Sequence, residues 1–333
     1  MEALPEEPAT TDALDFLDGL REVLYALADA GDMQGATEVA EAMVDLAEDS
    51  FGPFHRITVD AIVELANVYY AAGDPIGAET VLMLALDRAT EAAGPEHPLT
   101  VDVLLNLAEV YEADARFEDA LAMTADAAAS SAATFGAGAP RTLELRLGEA
   151  RLLEQLGEYE EGARVLEDAC AAARDALGSW HERTAACLQQ YGVLLSRGGD
   201  LPGARDVLAE VVEIRSAVLG PAAPDTLSTR IDVAALLRQA GEFEAALAEL
   251  DEVDAALAGP EGDALLGPLA EGRARVLFDL GRTAEAEENA RFAHELRVAE
   301  LGEDHPLTLD ALNLIGAVRF RGGDLLGAED AWR

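Results

Sequence analysis

Threonine recurs at residues 58, 100, 142, 184 and 226, each 42 residues from the last, and again at 308, nearly two periods further on. A spacing kept over that distance means that one supersecondary unit is repeated along the chain, and like units stack in series instead of closing around a single core. Six residues before each of these threonines stands a glycine: Gly52, Gly94, Gly136, Gly178, Gly220 and Gly302. The spacing predicts a helix ending at each glycine in a left-handed cap. A proline two residues before the threonine, as in His97-Pro98-Leu99-Thr100-Val101, suits the first turn of a new helix.

A second series of breaks lies 15 residues after the threonines, at Gly73, Ala115, Gly157, Gly199, Gly241 and Gly323, and Gly31 and Gly281 continue it. Each unit therefore reads as helix, tight turn, helix. The chain is half apolar but only 5% aromatic, and alanine is abundant, which favours close-packed helices over sheets. The predicted fold is all-α, about eight antiparallel helix pairs. A leader, residues 1–11, precedes repeats at about 12–51, 52–93, 94–135, 136–177, 178–219, 220–258, 259–301 and 302–333, the last incomplete. The leader is acidic, carries Pro5 and Pro8, and reads as disordered.

Small residues recur where paired helices must approach. Eight positions past the threonines stand Ala66, Ala108, Ala150, Gly192, Ala234 and Gly316; twenty past them stand Ala78, Ala120, Gly162, Ala204, Ala246 and Ala328. Larger side chains there would hold the helices apart. Apolar residues at helical spacing, such as Leu104, Leu107, Val110 and Tyr111, supply the core.

The Leu-Gly, His-Pro, Thr junction, followed by Leu-Asn-Leu-Ala-x-x-Tyr and later Ala-Leu, is fullest in residues 94 to 121 and returns in 301 to 318. It resembles the 42-residue tetratricopeptide repeats of kinesin light chains. The resemblance covers nearly the whole chain. It implies an α-α superhelix, right-handed, whose first helices line a concave groove, and a family of scaffolds that bind peptides and partner proteins. Three repeats depart from the pattern. The first has Leu24 where later ones have Ala or Gly, the seventh lacks the threonine and is two residues short, and the eighth stops ten residues past Gly323.

Charge narrows the partner classes. The net charge is −42, from 65 acidic and 23 basic residues, and every base is arginine. Without lysine there is no Schiff-base, phosphate-loop or kinase-type lysine. An acidic surface repels nucleic acid and anionic membranes, so neither is expected as a partner. No apolar run approaches the ~20 residues that span a bilayer, and a cytoplasmic protein is expected. Two cysteines, Cys170 and Cys187, are too few for a secreted disulfide framework and read as buried free thiols.

Catalytic candidates fall away in turn. His55, His97, His181 and His305 share one position, three residues before a threonine, and successive copies lie about 20 Å apart, two ~10 Å helix diameters. They cannot ligate one metal together and read as helix-start residues. Gly136-Ala137-Gly138 begins like a dinucleotide fingerprint, but no strand precedes it. Runs such as Glu158-Tyr159-Glu160-Glu161 start second helices, where acids suit the helix dipole. The segment from Gly259 to Pro268 departs most from the repeat and reads as an altered junction. No catalytic residue, metal ligand or cofactor is expected, and the chain reads as no enzyme.

In the resembled fold, residues 2, 5, 6, 9, 12 and 13 past the threonine face the groove. On that rule the repeats of Thr58, Thr100 and Thr142 supply Asp60, Glu64, Asp102, Glu109, Glu112, Glu144 and Glu154 against one base, Arg151. Asn67 and Asn106 offer amides to a peptide backbone, and Tyr70 an apolar contact. The following repeats supply a more neutral wall of Gln190, Arg197, Arg238 and Arg275, with Asp232 and Asp279 opposing. The expected function is a scaffold or adaptor holding a protein or peptide in this groove, with a basic segment over the acidic repeats. The alternative is a peptide-sensing receptor, or the sensor arm of a larger multidomain protein.

Overall fold

A glycine in an extended but positive-φ conformation ends the second helix of four repeats. Gly52, Gly94, Gly136 and Gly302 have φ of 89 to 94° and ψ of 154 to 169°, a region open essentially to glycine alone. This corrects the left-handed cap expected there. The left-handed form belongs to the break between paired helices, as at Gly323 with φ 87° and ψ 4°. Four of the new helices then start on a histidine whose Nδ1 accepts the backbone N–H two residues on: His55 from Ile57, His97 from Leu99, His181 from Arg183 and His305 from Leu307, at 3.1 to 3.2 Å. One spare donor at each of these helix starts is thereby satisfied by an imidazole nitrogen. Within repeats, Asp32, Asp74, Asp200 and Asp324 cap the second helices in the same way through Oδ1.

The computed structural model describes residues 8–257 and 263–332. Among them are sixteen helices and no strand, in pairs. The pairs are α1 (Pro8–Asp29) with α2 (Met33–Phe51), α3 (Arg56–Ala71) with α4 (Pro75–Ala93), α5 (Pro98–Ala113) with α6 (Phe117–Phe135), and α7 (Pro140–Gln155) with α8 (Tyr159–Leu177). They continue with α9 (Glu182–Arg197) and α10 (Leu201–Val218), α11 (Pro224–Gln239) and α12 (Phe243–Ala256), α13 (Asp263–Asp279) and α14 (Thr283–Leu301), and α15 (Pro306–Gly322) and α16 (Leu325–Trp332). α1 begins at Pro8, inside the stretch read as a leader. The altered junction lies partly outside the described residues, and α13 runs through Pro268, which gives up one helix bond there.

Contacts divide the chain into two units, residues 1–172 and 173–333. In the first, α1 to α7 pack each against the next; in the second, α9 to α16 do so. The small-residue rows lie inside the pairs. Ala66, Ala78, Ala120, Ala204 and Ala246 are fully buried, and a Cβ on Gly192 would come within 2.8 Å of Leu208. Leu17, Met43 and Leu65 belong to one core cluster of the first unit, and Leu82, Val103 and Leu107 to the next. Leu227, Leu250 and Val276 lie in the second unit's core. Cys170 and Cys187 are buried, but both are disulfide-bonded, which corrects the free-thiol expectation.

Candidate binding site

Because six of the first helices start with the threonine at the same position, four of them on the same histidine cap, the same rows of residues recur on the same face. First helices also touch one another across a repeat: α3 with α5 in the first unit, and α9 with α11, α11 with α13 and α13 with α15 in the second.

In the first unit these rows are acidic but substantially paired. Arg21 Nε donates to Glu64 Oε1 at 2.7 Å while its Nη1 binds Asp18. Arg141 pairs with Asp102, and Arg151 grips Glu112 with two bonds, one of them 2.6 Å. Asp60 lies 3.5 Å from Arg56. The expectation of a single opposing base is therefore corrected. Arg141 reaches into the rows from the position just before its threonine, which the inward rule leaves out, and Arg21 comes from the first repeat, which has no threonine to anchor the rule. Asn106 donates to the Asp102 carbonyl of its own helix at 2.8 Å. Asn67, Tyr70, Glu109 and Glu144 are exposed.

Burial pushes the Glu64 and Asp60 carboxyls above the usual range despite their arginines, and Asp102 adds to the rise at Asp60. The Arg151 hydrogen bonds hold Glu112 below it.

The second unit has a hollow of about 510 Å³ on its first helices, and it brings together Arg197, Arg238 and Arg275 of the predicted residues. Gln190 is exposed outside its lining. The floor is apolar, with Val193, Ile231 and Leu250, and the walls carry Ser196, Gln239 and Asp232. Arg238 binds Asp279 at 2.9 Å, Arg275 binds Glu271 of its own helix, and Ser196 Oγ donates to Gln239 Oε1 at 2.9 Å. Burial raises the Asp232 carboxyl above its ordinary range even though Gln189 donates to it.

Sequence reading missed the group that stiffens this wall. Arg215 on α10 is 5% exposed, and its guanidinium donates to Glu182, Gln189, Thr229 and the Asp225 carbonyl. Gln189 in turn donates to Asp232. A buried arginine bonded to two residues of α9 and two of α11 fixes the one helix against the other. The signal was an arginine in a row held elsewhere by the fully buried Ala89, Ser131 and Ala173.

Among the described residues no cluster of histidine, cysteine or acids is placed to hold a metal, and no helix is long and apolar enough to cross a membrane. What the rows present is donors, acceptors and apolar patches at a fixed repeat. The tetratricopeptide repeat model matches residues 58–133, 184–253 and 267–331, more than half of the chain. The chain belongs to the tetratricopeptide repeat family. These repeats generally mediate protein–protein interactions.

No curated protein matches the chain. Among solved structures, tetratricopeptide-like repeats of a putative kinesin light chain from Podosopora anserina share 22% identity at a TM-score of 0.51, over 64% of this chain and 98% of that one. BtubC (BKLC) from P. vanneervenii shares 23% at 0.51, over 67% and 90%. A tetratricopeptide repeat protein from Parabacteroides merdae shares 14% at 0.57, over 91% and 98%. At these identities the likeness speaks for the tetratricopeptide fold.

Proposed function

We propose that this chain is a non-catalytic scaffold that holds an extended segment of a partner protein against its first helices. The observation that carries the reading is the hollow of about 510 Å³ in the second unit, which joins an apolar floor to Arg197, Arg238 and Arg275 and to the amide of Gln239. Such a mixture suits a peptide, whose backbone needs donors and acceptors and whose side chains need apolar cover. In the first unit Asp60, Glu64, Asp102, Glu109, Glu112 and Glu144 provide carboxylates along the corresponding rows, with Arg151, Asn67, Asn106 and Tyr70 among them. Glu109 is exposed and makes no ion pair among the described residues. A basic stretch of the bound segment fits there.

The test is a displayed peptide library selected against the full chain. Peptides recovered on the wild type bind Arg238→Ala about tenfold more weakly, roughly 1.4 kcal/mol, and basic ones are weakened by Glu109→Arg. Equal binding to both variants, with their folds intact by circular dichroism, would refute the reading.

A further inference from the structure

Where a second helix meets the next first helix, the repeats close the seam with one bulky side chain. At α4–α5 it is Tyr111, 6% exposed, whose hydroxyl donates to Glu79 Oε1 at 3.0 Å. Arg116 lies 4.3 Å from its ring centre and binds Glu79 Oε2 at 2.6 Å. At α2–α3 it is Tyr69, hydrogen-bonded to Glu41. At α6–α7 the ring comes from the other side, as Phe117 packed against the cluster that holds Leu152. At α12–α13 it is Phe243, packed against the cluster that holds Val276. At α14–α15 the Arg319 guanidinium does the work, bound to Glu287 at 2.8 Å.

The α10–α11 seam has neither solution. The position of Tyr111 is Leu237 and that of Phe117 or Phe243 is Leu201. An opening of about 300 Å³ remains, lined by Leu201, Pro202, Leu236, Leu237 and Ala240 together with the charged Arg205, Asp206 and Glu242. Arg205 and Glu242 occupy the places of Glu79 and Arg116 with the charges exchanged, 3.4 Å apart. The opening shares no residue with the hollow described above.

We propose that this notch receives a tyrosine side chain from an extended segment of a partner protein. The sister seams show which shape the surface is built around, since Tyr111 fills the equivalent space with its own ring. The leucine walls give the ring apolar cover, while Arg205 and Glu242 give its hydroxyl a donor and an acceptor, the polar partner a buried phenol requires. This site is independent of the hollow, so one can fail without the other.

The experiment follows the leucine methyl resonances of the full chain on titration with N-acetyl-tyrosinamide, with N-acetyl-leucinamide as the control. Two variants fill the notch as the chain itself does elsewhere: Leu237→Tyr, after Tyr111, and Leu201→Phe, after Phe117 and Phe243. Saturable shifts at Leu201, Leu236 and Leu237 with the tyrosine probe, absent with the leucine probe and lost from the leucines that remain in each variant, are expected. No shift, equal shifts with the two probes, or shifts that survive in a folded variant would overturn the proposal.

Discussion

Thr100 donates its hydroxyl to the carbonyl of Gly94, six residues earlier, at 2.7 Å. The same bond joins Thr58 to Gly52, Thr184 to Gly178, Thr226 to Gly220 and Thr308 to Gly302, at 2.7 to 2.9 Å. Each threonine is buried, so the bond satisfies a hydroxyl that has no water. It pins the start of one repeat to the end of the one before. At Thr142 the hydroxyl instead meets Ser131 Oγ at 2.9 Å.

Removing the hydroxyl while keeping the shape isolates this bond. Thr100→Val is expected to cost about 1 kcal/mol, with Thr100→Ser less damaging than Thr100→Val. Urea unfolding of the three proteins measures it. A valine variant as stable as wild type would show that the Gly94 carbonyl gains nothing from the bond.

Ala115 stands at φ 57°, the one non-glycine residue with positive φ among those described, where its counterparts are Gly73 and Gly157. An L side chain pays roughly 1–2 kcal/mol for that conformation, and glycine's extra freedom in the unfolded chain returns part of the gain. Ala115→Gly is therefore expected to stabilise by about 0.5–1 kcal/mol. Gly73→Ala should destabilise by a similar amount. Thermal unfolding of both variants checks the pair of signs.

Asp232 titrates above the ordinary carboxylate range because of its burial. Its folded form holds a proton more tightly than its unfolded form, so stability falls as pH rises from the unfolded value through the folded one. Asp232→Asn is thus expected to be more stable than wild type at neutral pH, with the advantage shrinking as pH falls through that window. Denaturant unfolding of both proteins across this range decides it. An advantage that grows on acidification would contradict the sign.

The repeat was legible because it is written in punctuation. Thr100, Gly94 and His97 recur at fixed spacing, since a cap, a chain reversal and a buried hydroxyl each admit few residue types. The conformation of Gly94 was not legible, because any positive φ selects glycine equally well. Among the candidate site residues, Glu64 and Asp102 could be placed on a face from their positions past the threonine and the inward rule of the resembled fold. Their arginines were not placed with them, since Arg21 belongs to a repeat without the threonine and Arg141 lies outside the inward positions and reaches Asp102 from the next first helix. Arg215 left a trace, as a charge in a row of small buried residues, but its four acceptors come from α9 and α11 and only the packed structure gathers them.

The claim that first helices hold a partner's segment is tested most directly by where a bound peptide lies. A photo-crosslinking residue placed at Gln239, on the wall of the hollow, should capture a peptide selected against the full chain. The same residue at Glu213, exposed on α10 and outside the hollow's lining, should not. Capture from Glu213 in place of Gln239 would contradict the account.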